Sequence, residues 1–329
     1  MTFYRNIIKK AWEITWKFKY LWFFGLFAAL LGNGGEYEII SRTFTDDGQT
    51  QLFPNLSTIA STGIFTLTGI KNIFKIALTD PANFSITLVI LLVSLALVIF
   101  LVWLVVISQA ALVNGSAKII QNKKTNFKDT LQAGMGKFWP VFALNLINRL
   151  ILSGVFILLL VPVLLSFSLV SLTYIVAFVV LIPVAILISF IIKYSIGYVV
   201  VKGQGILEAI SSGWGLFRKN WIISIEMALL LALINLGLGI LAMLVILIIA
   251  IPFLFLAAVF LNFAAKAGFW LVIILGFLTF VVLLFTTGAI IATFQVSAWT
   301  GLFLELVNKG GVSKIVRIFS KDSAQNPVK

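Results

Sequence analysis

Residues 127–147 read FKDTLQAGMGKFWPVFALNLI. A short stretch of helical period carrying Lys comes first, then a Trp, then the opening of an apolar run. The same order recurs in IIKKAWEITWKFKYLWFFGLF at residues 7–27 and in ILEAISSGWGLFRKNWIISI at residues 206–225. Each apolar run leads to a second one, and each second run ends in another polar, mostly basic segment. The chain therefore reads as one membrane domain, residues 1–329, built from three two-span repeats at 5–112, 123–200 and 203–310. The first repeat carries a long extracytoplasmic loop, 33–85, and a basic cytoplasmic tail follows at 311–329.

Composition supports this reading. The 329 residues are 61% hydrophobic and only 11% charged, against roughly half apolar and a quarter charged in a soluble domain. Apolar runs of about 20 residues match the length that crosses a ~30 Å hydrocarbon core as helix. Lipid leaves only helices or a closed barrel to satisfy the backbone. The runs are continuous rather than alternating, so the expected fold is an all-α polytopic bundle. With no Cys and no His, disulfides and the commonest transition-metal ligand are excluded.

Six transmembrane helices are expected. They start near Trp16, Ile86, Trp139, Leu172, Trp221 and Phe269. The stretch 221–263 is too long for one ordinary span. A re-entrant piece, or an overlong fifth helix broken near Pro252, accounts for it. Charge sets the orientation. Residues 1–19, 113–138 and 193–219 hold five, five and four basic groups, each with one acid. Residues 305–329 hold five basic and two acidic groups, whereas the loop 33–85 holds three basic and five acidic ones. With the basic windows inside, both termini are cytoplasmic, and the setting is the inner membrane of a bacterium.

The segment before each odd-numbered span has an amphipathic period. The expected buried faces are Ile7, Ala11, Ile14 and Phe18; Phe127, Leu131, Met135 and Phe138; and Ile206, Ile210, Trp214 and Phe217. Asn126 is a helix cap, with Asp129 at the third helical position. Such helices either lie in the inner interface or pack as a cytoplasmic cap, and both can hold at once. Trp22, Trp139 and Trp221 are the expected headgroup anchors. Gly134-x-Gly136 and Gly213-x-Gly215 permit a tight bend or a close helix approach. In the outer loop, an apolar stripe from Ile64 to Leu78 predicts a further helix, and Thr45–Gln51 an exposed turn.

Intramembrane polar residues mark the candidate site: Arg149, Asn145, Asn148, Glu226 and Asn235. Arg149 lies about ten residues into its span, roughly mid-membrane at a 1.5 Å rise, where a charge is expensive. A pair with Glu226 is the expected solution. A headgroup site on Arg149 and plain snorkelling are the alternatives. Lys193 reads as an interface anchor. No constellation for hydrolysis, group transfer or metal binding is visible, so no catalytic residue, cofactor or metal is expected. The Lys clusters point to anionic lipid rather than nucleic acid.

ISQAALVNGSAKI (residues 107–119) followed by GMGKFWPVF, and VVVKGQGILEAISSGWGLFRKNW (residues 199–221), carry a resemblance. The pattern is similar to poorly characterised bacterial polytopic proteins, among them the membrane domain of some glycerophosphoryl diester phosphodiesterases. In that family a separate soluble domain carries the chemistry, so the resemblance implies the membrane part alone. The leading expectation is a non-enzymatic scaffold that binds lipid or a protein partner, and it predicts no polar cavity. The alternative is a transporter of lipid or small molecules, with a cavity around Arg149 and Glu226.

Overall fold

The computed structural model describes residues 2–30, 79, 81–164, 170–262 and 266–309. The helix expected within 64–78, the turn at 45–51 and the tail 311–329 lie outside the described residues. The described residues form nine α-helices and one π segment. They are α1 (Thr2–Lys17), α2 (Leu21–Ala29), α3 (Pro81–Ile120), α4 (Phe127–Met135) and α5 (Phe138–Leu164). Then come α6 (Val170–Gly197), the π segment Tyr198–Lys202, α7 (Ile206–Lys219), α8 (Trp221–Asn262) and α9 (Lys266–Lys309). Five of them, α3, α5, α6, α8 and α9, include stretches long and apolar enough to cross a membrane.

The first expected span is not one helix. The chain breaks after Lys17, and α2 is nine residues long, about 13 Å, far short of a hydrocarbon core. Instead α2 packs on α9: a Cβ on Gly25 would lie 2.5 Å from the Ala289 carbonyl oxygen. Trp22 Nε1 donates to the Thr15 carbonyl at 2.7 Å and bridges the break. The fifth helix differs in the opposite sense. It runs 42 residues without interruption through Pro252, about 63 Å, so the re-entrant alternative is not formed.

The contacts define two compact units, residues 1–39 with 105–329, and residues 40–104. In the smaller unit, the start of α3 exposes nearly every apolar side chain from Ile86 to Val102. Phe100 and Trp103 stack there at 5.9 Å.

In the larger unit the core sits at one end of the long helices. Ile223, Met227 and Leu231 of α8 are buried, as are most α9 residues from Ala289 to Leu306. From Leu233 to Phe285 large apolar side chains are mostly exposed. The core mixes apolar groups with small hydroxyls that let helices approach closely. Ser116 and Ser297 meet at 2.9 Å, and Tyr194 and Ser224 at 2.7 Å.

The short helices close this packed end. Asn126 caps α4, accepting from the Asp129 N–H at 2.8 Å, as the sequence predicts. Helix α1 buries Ile7, Ala11 and Ile14, again as expected. Helices α4 and α7 are turned partway from their expected faces: Leu131, Ile206 and Ile210 are half-buried and Phe217 is buried, as expected. Thr130 and Gly134 are buried on α4, whereas Phe127 and Met135 are exposed. Ala209, Gly213, Leu216 and Phe217 are buried on α7, whereas Trp214 is exposed.

The glycines set that rotation. A Cβ on Gly134 would lie 2.6 Å from the Ile107 carbonyl oxygen, and one on Gly213 would lie 2.9 Å from that of Ile191. Each helix turns its smallest residue, not its largest, toward the neighbouring span.

Candidate polar cavity

The packed end gathers three of the basic windows, those within 1–19, 113–138 and 193–219. Lys10 of α1 donates to the Ile120 carbonyl at the end of α3, at 2.8 Å. A Cβ on Gly301 of α9 would meet Ile7 at 3.2 Å. Helices α4 and α7 sit on the ends of α3 and α6 through Gly134 and Gly213.

The expected Arg149–Glu226 pair does not form. Arg149 is exposed. The Glu226 carboxylate instead accepts a hydrogen bond from the Tyr4 hydroxyl, 222 residues away. Burial, and then that hydrogen bond, hold the Tyr4 phenol well above its ordinary pKa, so it stays a donor at neutral pH. Counting rise along two helices fixes relative depth but not rotation. Arg149 points outward while Glu226 faces the N-terminal helix. Glu226 thus anchors α1 to α8.

Asn145 and Asn148 do line a cavity, which the scaffold expectation excludes and the transport alternative includes. Helices α3, α5, α6 and α9 surround a space of about 100 Å³. That holds roughly seven waters at ~10–15 Å³ of accessible volume each, enough for a phosphate-sized group and too little for a whole lipid. Its polar wall comprises Gln109, Asn145, Asn148, Lys193, Gln295 and Thr300. Asn145 Nδ2 donates to Gln109 Oε1 at 2.6 Å and to the Val141 carbonyl at 2.9 Å. Asn148 Oδ1 is buried and meets no hydrogen-bond partner among the described residues. Lys193 Nζ stands 4.7 Å above the centre of the Trp299 ring, a cation–π geometry that holds the ammonium at the cavity wall.

Beyond Gly197, the last residue of α6 on the cavity wall, the backbone widens into the π segment. Gly203, at φ +76°, ends it. Single π turns often mark functional positions in helices.

Asn235 lies elsewhere, on the wall of a second and larger cavity between α2, α8 and α9. Trp139 and Trp221 stand exposed at the starts of α5 and α8 (74% and 52%). Trp22 is half-buried against Trp16, at 5.6 Å. Gln109, Lys193 and Gln295 are the site residues that sequence reasoning missed. A signal existed for two of them: Gln109 and Gln295 each interrupt an apolar run six residues before a Gly, Gly115 and Gly301. Both glycines face the cap helices, with Thr130 at 3.0 Å from a Cβ on one and Ile7 at 3.2 Å on the other.

A helical bundle with five segments long enough to cross the bilayer, exposing its apolar length and packing one end, is a polytopic membrane protein. Residues 15–303 match the family of unknown function DUF7544, and the chain belongs to that family. No curated protein and no solved structure matches the chain. The resemblance to the membrane domain of glycerophosphoryl diester phosphodiesterases is not shown by these comparisons.

Proposed function

We propose that the protein is a non-enzymatic, lipid-binding membrane module that takes the anionic head of an amphiphile into the polar cavity. One observation carries this: a headgroup-sized space with a fixed ammonium, Lys193, and an orphaned buried acceptor, Asn148 Oδ1. A buried polar atom without a partner is costly. A head that offers both negative charge and a hydroxyl answers Lys193 and Asn148 together. The amides of Asn145, Gln109 and Gln295 can donate or accept, so they suit either group.

The setting we propose is the cytoplasmic membrane of a bacterium, with the basic end and both termini inside. The three short helices then sit at the inner interface, with Trp139 and Trp221 as anchors.

Two measurements test this. The native chain has no Cys, so Lys266→Cys is expected to react with an impermeant thiol reagent only from outside, and Glu208→Cys only from inside. Labelling of both from one side sinks the orientation. For binding, the protein in phosphatidylcholine nanodiscs is expected to enrich phosphatidylglycerol. Lys193→Gln is expected to weaken that preference roughly tenfold, the equivalent of ~1.4 kcal/mol. An unchanged preference removes the cavity from the binding role.

A second reading, transport of the same ligand, is favoured by the position of the cavity among long spans beside a π turn. Dequenching of a labelled phosphatidylglycerol in proteoliposomes separates the two. Flux above that of empty vesicles, lost in Lys193→Gln, selects transport.

A further inference from the structure

The larger cavity has a different character. It is a groove of about 510 Å³ between α8 and α9, closed at one side by Ala29 of α2. Leu236, Ile240, Met243 and Ile291 supply apolar walls. Its floor is open because Gly239 and Gly288 carry no side chain, and nothing lies within 4 Å of a Cβ built on either. Asn235 Oδ1 borders it, buried and without a hydrogen-bond partner among the described residues. Gln295, 8% exposed, lines both this groove and the polar cavity. A polar chamber and an apolar groove thus share one wall.

We infer that the groove seats an acyl chain of the amphiphile whose head occupies the polar cavity. The inference rests on the cavity reading above and names the rest of the ligand. Gln295 stands where head meets chain, and its amide and the Asn235 Nδ2 are donors suited to the ester carbonyls found at that junction in a lipid. The groove runs along residues 232–243 and 288–295, and the α8 side chains beside it, Leu233, Leu241 and Leu244, are apolar and exposed. A chain in it therefore continues into the leaflet without leaving apolar surroundings. Neighbouring lipid is the solvent of this face, which favours a chain over a protein segment as occupant.

The test uses the full-length protein in phosphatidylcholine nanodiscs. These carry a trace of phosphatidylglycerol or phosphatidylcholine with a diazirine in the acyl chain, and crosslinked peptides are read by mass spectrometry. With the phosphatidylglycerol probe, labelling is expected to concentrate on 232–243 and 288–295. Gly239→Leu and Gly288→Leu fill the groove without meeting backbone, and both favour helix. Each is expected to cut that labelling roughly tenfold, while Lys193→Gln weakens the preference of the anionic probe over the neutral one by the factor given above.

Labelling spread evenly over 246–285, or unchanged by both leucines, overturns the groove while a persistent anionic preference leaves the cavity reading standing. Equal labelling by the two probes, insensitive to Lys193→Gln, overturns the cavity reading and this inference with it. A dimer that Gly288→Leu dissolves assigns the groove to a second copy and overturns the inference alone.

Discussion

Gly213→Leu is expected to cost about 3 kcal/mol or more, at or above the upper end of the ~1–3 kcal/mol typical of overpacking. A Cβ at that position would lie 2.6 Å from Ser195 Oγ, 2.9 Å from the Ile191 carbonyl oxygen and 3.1 Å from the Ser195 nitrogen. Two of these three atoms are backbone, so no rotamer change relieves the clash. Helix α7 must lift off α6, and the burial of Ala209, Leu216 and Phe217 is lost with it. Gly215, two residues on, has nothing within 4 Å of its Cβ. Gly215→Ala is therefore expected to be neutral, or to stabilise by up to ~1 kcal/mol through helix propensity. Melting in detergent micelles, followed by far-UV circular dichroism, checks the contrast. Equal behaviour of the two positions would show that the close approach does not hold the packed end together.

Phe190→Ala is expected to destabilise by about 3–5 kcal/mol, the range for a fully buried Phe truncated in a core. Phe190 is 1% exposed. It stacks on Phe217 of α7 at 5.5 Å and leans on Trp299 of α9 at 5.7 Å, so one ring joins three helices. Trp299 in turn carries the Lys193 ammonium. The variant should therefore lose anionic-lipid preference along with stability, whereas Phe190→Leu should recover most of both. Phe255→Ala, at a side chain 67% exposed, is the control. A Phe190→Ala cost no larger than that control, in the same micelle melts, speaks against a packed core at this end.

The helices were readable because an apolar run long enough to cross a membrane has few other uses. The cap at Asn126 was readable because its chemistry is local. Rotation of the short helices was not. An apolar stripe predicts burial of the bulky residues, but here close packing against a backbone carbonyl overrides it and turns Gly134 and Gly213 inward. The first span was misjudged for a related reason: hydrophobicity alone cannot separate a nine-residue helix wedged by Gly25 against α9 from the start of a crossing.

At the site, Asn145 and Asn148 were found because polar groups stand out in an apolar text. The partner of Glu226 was not found, because Tyr4 lies 222 residues away, just before the first repeat, and no spacing rule links them. Lys193 looked like an anchor because it stands near a helix end. The ring of Trp299, more than a hundred residues away, helps to hold it.

The long α8–α9 hairpin has a consequence for how the protein is made. Between Glu226 and Glu305 the only charged residue is Lys266, the first residue of α9. Two helices of 42 and 44 residues thus leave the ribosome with three residues between them. Neither offers the insertion machinery a charged stop at which to release one before the other. In the orientation proposed above, one ammonium is the whole charge that the pair carries across. Moving it through the centre costs about 3 kcal/mol on insertion scales, against dozens of Leu, Ile, Phe and Val that each favour entry.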